Sequence, residues 1–309
     1  MSAPGHSPAP TPAPGPESPA AARPLVPRWQ AAGARGLSIL RRIGRSKIAC
    51  VGLTLILFWC VVAIFAPLLA PYDPNQQHLG LVSDPTPSAE HWFGGDALHR
   101  DMLSRVIWGA RPVLVIAPLS LLCSYVVGIT LGMVAAYYGG WVDSVLTRVI
   151  DLMLSFPKIV LYVVLIASAG PSAMNIVIAV VLVSSPGIAR LVRGLTYDLK
   201  TGDYVAAARV RGESVFYILA IELLPNARGP LFVDFCMRMG YTIIAIGVLG
   251  FLGLGLPPPN PDWGGMVRDG TTLLTVYPHI ALIPAFAIST LIMGFNLLAD
   301  GLQETTEAM

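Results

Sequence analysis

The sequence predicts an all-α membrane protein of six transmembrane helices. Three observations carry that reading: only 12% of the 309 residues are charged, 54% are hydrophobic, and mean hydropathy is +0.66. A soluble globular domain carries roughly 25% charged residues, so about half of the usual solvated surface is absent. The same figures exclude a conventional soluble protein and exclude disorder over most of the length. A net charge of +2 is too small for a nucleic-acid binder, so no nucleic acid is expected as a partner.

The elements follow in chain order. Nine prolines fall between Pro4 and Pro27, interleaved with Ala, Ser and Gly. Residues 1–34 are therefore expected as a disordered Pro/Ala-rich cytoplasmic tail that buries no core. No apolar core follows a short basic start there, so the segment does not read as a secretory signal peptide. Residues 35–309 are expected to form the transmembrane domain.

A span needs about 20 largely apolar residues, and the charge-free intervals act as a ruler. The first expected span is 48–69, directly after Lys47. Arg111 and Asp143 bracket the second, about 112–137, which carries Gly128 and Gly132 four apart, a spacing suited to close helix contact. Lys158 to Arg190 is too long for one helix, and Gly170-Pro171 breaks it. It divides into the end of a third span, about 146–168, and a fourth, about 173–194. The fifth is expected at about 231–252 and the sixth at about 279–299.

Basic residues orient the bundle. Arg35, Arg41, Arg42, Arg45 and Lys47 precede the first span, and Arg190, Arg193, Lys200, Arg209, Arg211 and Arg228 crowd the loop between spans four and five. The segments about 70–111 and 253–278 hold only Arg100, Arg105, Arg111 and Arg268. Both termini are thus expected in the cytoplasm, and those two loops outside it.

Chemistry is sparse. Cys50, Cys60, Cys123 and Cys236 lie inside apolar runs without CxxC spacing and read as buried hydrophobes. The histidines, His6, His78, His91, His99 and His279, form no HExxH pattern. His91 and His99 share a loop with Asp96 and Asp101, which reads either as a metal site or as ordinary loop histidines. A P-loop needs Gly-Lys-Ser/Thr, and none of Lys47, Lys158 and Lys200 follows a glycine. If transport here is driven by ATP, the ATPase is another chain, and neither a catalytic residue nor a cofactor is expected.

The loop of about 196–228 reads Tyr204-Val205-Ala206-Ala207-Ala208-Arg209-Val210-Arg211-Gly212, then Leu223-Leu224-Pro225-Asn226. Its composition predicts a short alanine-rich helix, a glycine turn, a second helix of about ten residues, and a proline before span five. Small alanines suit close seating in another protein's groove; an amphipathic connector on the bilayer is the alternative.

This loop resembles the EAA loop of ABC-importer permeases, matching at Ala207, Ala208, Gly212, Leu224 and Pro225. Ala206 replaces the usual glutamate, and Glu222 stands where the peptide subfamily commonly has histidine. His91-Trp92-Phe93-Gly94-Gly95-Asp96, Arg100 to Arg105 and Gly109-Ala110-Arg111 are similar to the dipeptide/oligopeptide/nickel permease pattern of the C-type (second) subunit, with Gly95 and His99 departing from threonine and glycine. Phe251 to Gly255, Pro258 and Trp263-Gly264 resemble its FLGLG…WG signature, although Ile246 stands where many members have glutamate. Asn296 to Leu302 resembles its NLLGDGL ending. The resemblance covers about residues 35–302. It implies a type I ABC-importer permease fold in the bacterial cytoplasmic membrane. It also implies a B-type permease partner, two cytoplasmic ATPase subunits, an extracytoplasmic binding protein, and a di- or oligopeptide, nickel or other small peptide-like cargo. Tyr204, Ala206, Ala207, Ala208, Arg209, Gly212, Leu224 and Pro225 are then the ATPase-coupling residues.

Polar groups inside spans are candidates for the pathway because each is costly in hydrocarbon. Asp234 and Arg238 are four apart and pair on one helix face, either lining the path or sitting near the cytoplasmic interface. Pro157 loosens span three beside Lys158, with Asp151 nearly two turns earlier. Lys158 reads either as a cation that meets a peptide carboxylate or as one that snorkels to the membrane surface, surrounded by lipid. Asn296 and Asp300, near the inner end of span six, cap that helix or line the exit. An ion-coupled secondary transporter is the competing class, although no internal repeat is evident; a membrane-embedded enzyme lacks any His/Asp/Glu cluster.

Overall fold

Residues 46–307 are described by a computed structural model. The expected tail, 1–34, and Arg35, Arg41, Arg42 and Arg45 lie outside the described residues. Ser46 opens the first helix, its Oγ accepting the Ala49 N–H at 3.2 Å. Helix α1 spans Lys47–Ile64 and is followed by the short α2, Ala66–Leu69. A long loop with a single helical turn, α3 (Gly80–Ser83), leads to α4, Met102–Tyr138.

Helix α4 begins well before the expected span, so the expected loop of 70–111 ends at Asp101. Asp101 caps the helix, its Oδ2 accepting the Ser104 N–H at 2.8 Å. Arg105 and Arg111 lie inside α4 rather than in the loop. Arg111 donates to the Ala63 and Ile64 carbonyls, at 2.6 and 3.1 Å, where α1 ends. Arg105 Nη1 donates to the Pro74 carbonyl at 2.9 Å. These guanidiniums satisfy carbonyls left open by neighbouring segments, so a charge that marks the edge of the apolar run does not end the helix.

The third expected span is two helices, α5 (Gly140–Leu154) and α6 (Lys158–Ala169), bent by 86°. Ser155 closes α5 by donating its hydroxyl to the Asp151 carbonyl at 2.8 Å, and Pro157 immediately precedes α6. Helix α7 follows at Ala173–Leu199 and α8 at Asp203–Val210. The second loop helix is not separate. Short α9 (Val215–Tyr217), a π turn (Ile218–Leu223) and α10 (Leu224–Phe251) form one helical run. Pro225 lies in the first turn of α10, where a missing N–H is tolerated. Helix α11, Trp263–Thr271, precedes α12, His279–Glu307, which outruns its expected span.

Five of these are long and apolar enough to cross a membrane, six if bent α5–α6 counts as one span. Among the described residues the only β pairings are two isolated bridges. The most extensive packing is α4 on α7, and the glycine pair of α4 makes it possible. A Cβ at Gly128 would stand 2.7 Å from Ile188, and one at Gly132 would stand 2.5 Å from the Ala189 carbonyl. The Gly128/Gly132 contact is therefore internal to this chain. Helices α1 and α12 approach in the same way at Gly52, where a Cβ would stand 2.6 Å from the Gly294 carbonyl. Trp263 of α11 is fully buried, donates to the Val106 carbonyl at 2.9 Å and packs edge-on against Trp59 at 4.8 Å. Outward apolar side chains such as Leu57, Phe58, Leu122, Val126 and Val164 are exposed, as lipid-facing positions require.

Replacing Gly132 by leucine is expected to lower the thermal unfolding temperature in detergent, by overpacking worth about 1–3 kcal/mol or more. Leucine at Gly194, where nothing lies within 4 Å of a Cβ, serves as the control and should leave it nearly unchanged.

Candidate functional site

Two regions gather the candidate residues. The first is the loop around α8, which folds on itself: Val205 and Ala208 are fully buried and face the π turn, where Ile218 and Leu223 are equally buried. Tyr204 donates to the Leu199 carbonyl at 3.1 Å, and burial pushes its phenol upward, aided by Glu222. Gly212 takes φ 73° and turns the chain in a conformation a Cβ would oppose. Arg211 lies 3.6 Å from Glu222 and 3.5 Å from Glu213. Arg209 stacks over the Tyr137 ring at 5.3 Å. What remains outward is Ala206, Ala207, Arg209 and Val210, with Phe216 beside them. Leu224 is partly buried and Pro225 exposed. Of the two alanines expected at the coupling face, Ala207 is outward and Ala208 lies in the loop's own core.

The second region lies half-way along α10. Arg238 Nε donates to Asp234 Oδ2 at 2.6 Å, Tyr125 of α4 donates to the same oxygen at 2.5 Å, and Arg238 Nη2 reaches the Gly187 carbonyl of α7 at 3.3 Å. The pair sits at mid-helix, not at a helix end. Beside it opens a cavity of about 160 Å³ whose polar lining is Lys158, Tyr162, Ser184, Arg238, Tyr241 and Thr242. The fold thus brings Lys158 and Arg238 to one cavity, with Pro157 adjoining. Asp151 is elsewhere, paired with Arg190 on the outside of α7. Asn296 is also apart, exposed on α12 with its Oδ1 where a Cβ at Gly240 would stand 2.7 Å away.

The loop motifs form a third, structural cluster. His91 Nδ1 is 2.9 Å from Asp101 Oδ1, and Asp96 pairs with Arg100 at 2.7 Å and Arg105 at 3.1 Å. Among the described residues no group of three or more His, Cys, Asp or Glu is placed to hold a metal. His99 has φ 61°, the left-handed region, which explains why the resembling pattern places glycine there. Asp262 is buried, caps α11 by accepting the Gly264 N–H at 3.2 Å, and has its carboxyl pushed up by that burial. Gly250 and Gly255 close around it without room for a Cβ.

Comparison with known proteins identifies the arrangement. Residues 128–307 match the family described as binding-protein-dependent transport system inner membrane component. The chain belongs to this family. The N-terminal segment 37–85 matches the N-terminal transmembrane domain of oligopeptide transport permease C. A dipeptide transport system permease protein of Alkalihalophilus pseudofirmus is 36% identical over 272 residues, 86% of this chain and 88% of that one. Glutathione transport system permease proteins of Pectobacterium atrosepticum and Escherichia coli are 38% and 39% identical over 267 residues. Each alignment covers 86% of this chain, and 89% and 88% of the relative. The family is one of membrane transport permeases rather than enzymes.

Several polar residues in and beside this permease's cavity escape a reading of the sequence. Tyr125, Tyr162, Ser184, Tyr241 and Thr242 sit in apolar runs, and Tyr125, Tyr162 and Ser184 meet their partners across helices; only the charges Lys158, Asp234 and Arg238 left a signal. Removing Asp234 alone strands the Arg238 charge and leaves Tyr125 without its acceptor. Asp234→Leu is expected to lower the unfolding temperature of the permease more than the double change Asp234→Leu/Arg238→Leu, measured side by side in detergent.

Proposed function

We propose that this chain is the C-type permease subunit of an ABC importer for di- or oligopeptides. It pairs with a B-type permease, two cytoplasmic ATPase subunits and an extracytoplasmic binding protein. The observation that carries the substrate class is that close relatives along nearly the whole chain are named for dipeptide and glutathione transport. Both are short peptides. Family membership also sets aside the ion-coupled transporter.

The basic loop residues favour an orientation with both termini and α8 in the cytoplasm. In that orientation α8 is the coupling helix, and its outward Ala206–Ala207 face seats in an ATPase groove. The helical run Val215–Phe251 has 37 residues, so at 1.5 Å rise it is roughly 55 Å long. One end adjoins the docking helix and its middle carries Arg238 in the cavity wall. A push on α8 by closing ATPase subunits therefore displaces that wall along one stiff rod, alternately opening the path to either side. No ATP site is assigned to this chain.

The expected outcome for Ala207→Trp is normal membrane abundance with binding-protein-dependent peptide uptake abolished; normal uptake would sink the coupling assignment. Ala208→Trp should instead lower abundance, because it is forced into a filled core. Purified complete importer should take up a labelled dipeptide only with ATP and binding protein. Uptake by the single chain under an ion gradient would contradict the reading.

A further inference from the structure

We propose that the cavity beside Lys158 is a subsite for the free C-terminal carboxylate of a peptide in transit, an inference that rests on the peptide-importer reading above. The case is one of charge and commitment. Arg238 is already neutralised by Asp234 at 2.6 Å. Tyr162 and Ser184 satisfy each other at 3.3 Å, and Thr242 donates to the Arg238 carbonyl at 2.8 Å. Lys158, by contrast, has no ion-pair or hydrogen-bond partner among the described residues, and is exposed. Tyr241 on the opposite wall is 73% exposed, with a hydroxyl that likewise meets no partner among the described residues. The lining thus holds two cations, one of them neutralised by Asp234, and presents one uncommitted ammonium and one uncommitted phenol. A monovalent anion completes them.

Depth and size select the anion. Lys158 starts α6 at the 86° bend, and α6 has 12 residues, so its ammonium-bearing end lies about 18 Å from the other end of that helix. Arg238 lies half-way along α10. Lys158 thus stands at the break of a bent apolar helix pair and Arg238 mid-way along a span, where a lone charge is costly. The cavity of about 160 Å³ has room for a small anionic group. A carboxylate with its Cα is such a group. Ile244 and Val248 supply an apolar wall for the side chain on that Cα. A carboxylate against an ammonium forms the stronger, charge-assisted kind of hydrogen bond.

The test uses the complete importer in proteoliposomes, with tri-alanine and its C-terminal amide as probes. Lys158→Met is expected to slow ATP-driven uptake of tri-alanine roughly tenfold and to change uptake of the amide less than twofold. Lys158→Arg should stay within about threefold of wild type, and Lys158→Glu should fall below Lys158→Met. Peptide-independent ATPase rate and membrane abundance verify that each variant assembles. Where wild type does not carry the amide, the order Lys, Arg, Met, Glu decides, and a flat series overturns the subsite. Equal loss for acid and amide also overturns it, as a pairing of Lys158 with the partner permease would produce. Wild type that moves tri-alanine with all variants unchanged overturns the subsite alone. Wild type that moves no peptide overturns the importer reading first.

Discussion

The structure depends on a carboxylate and a guanidinium held in the middle of the bundle. Asp234 and Arg238 share a helix face, but helix spacing alone would not hold them in place at that depth. Each ionised side chain at the centre of a membrane helix costs about 2.5–3.5 kcal/mol on insertion scales, and a pair is tolerated only when its remaining hydrogen-bonding capacity is met. Tyr125 supplies the second donor to Asp234 and the Gly187 carbonyl supplies the second acceptor for Arg238. One polar knot therefore fixes α4, α7 and α10 in register at a single level. The glycine seam runs beside it: Gly128 meets Ile188, one residue from Gly187. Packing that brings α4 and α7 close enough for a carbonyl to be reached, and polar bonding that sets their relative height, are two halves of one constraint.

That constraint also decides where motion can enter. Helix α10 is tied to two neighbours at its middle but is continuous with the loop at its start. The join is the π turn, where the Leu224 N–H bonds the Leu219 carbonyl five residues back, and the next residue, Pro225, has no N–H to give. A single wide turn absorbs the proline without breaking the rod. In the proposed mechanism, a helix that ended there would lose the displacement of α8 in a hinge rather than carry it to the knot and the cavity beside it.

How much was legible follows from what each residue signals. The apolar intervals and the basic loops marked the spans because hydrocarbon excludes charge, whatever the tertiary partners. Helix ends were misplaced where charged residues find carbonyls nearby, as Arg111 does at the end of α1. Pro157 announced a loosening but not an 86° bend, because the angle depends on how α5 and α6 each pack against α7, which the local sequence does not show. At the candidate sites, the loop around α8 was readable as a motif, yet its buried side was not. Ala207 and Ala208 are the same residue type, and only the π turn packed behind them separates a face from a core. The cavity was readable in its two cations and invisible in its hydroxyls, because a tyrosine in an apolar run looks the same whether its tip is bonded or free.

The departure at Ala206 gains meaning from this geometry. With alanine in place of the usual glutamate, the outward face of α8 carries no carboxylate beyond Asp203 at its first position. Its cations are partly spoken for, Arg209 by the Tyr137 ring and Arg211 by two glutamates. The proposed contact with the ATPase is then made chiefly by shape: two alanines without side-chain reach, flanked by Val210 at 89% exposure and Phe216 at 78%. An ion pair tolerates lateral error because its attraction falls slowly with distance, whereas apolar seating of small residues loses its dispersion contact within an ångström. A docking helix of this composition must be held rigid by its own chain. The fully buried Val205 and Ala208, backed by Ile218 and Leu223 of the π turn, provide that rigidity. The same turn that lets α10 run on unbroken thus also fixes the surface through which, in the proposed mechanism, it is pushed.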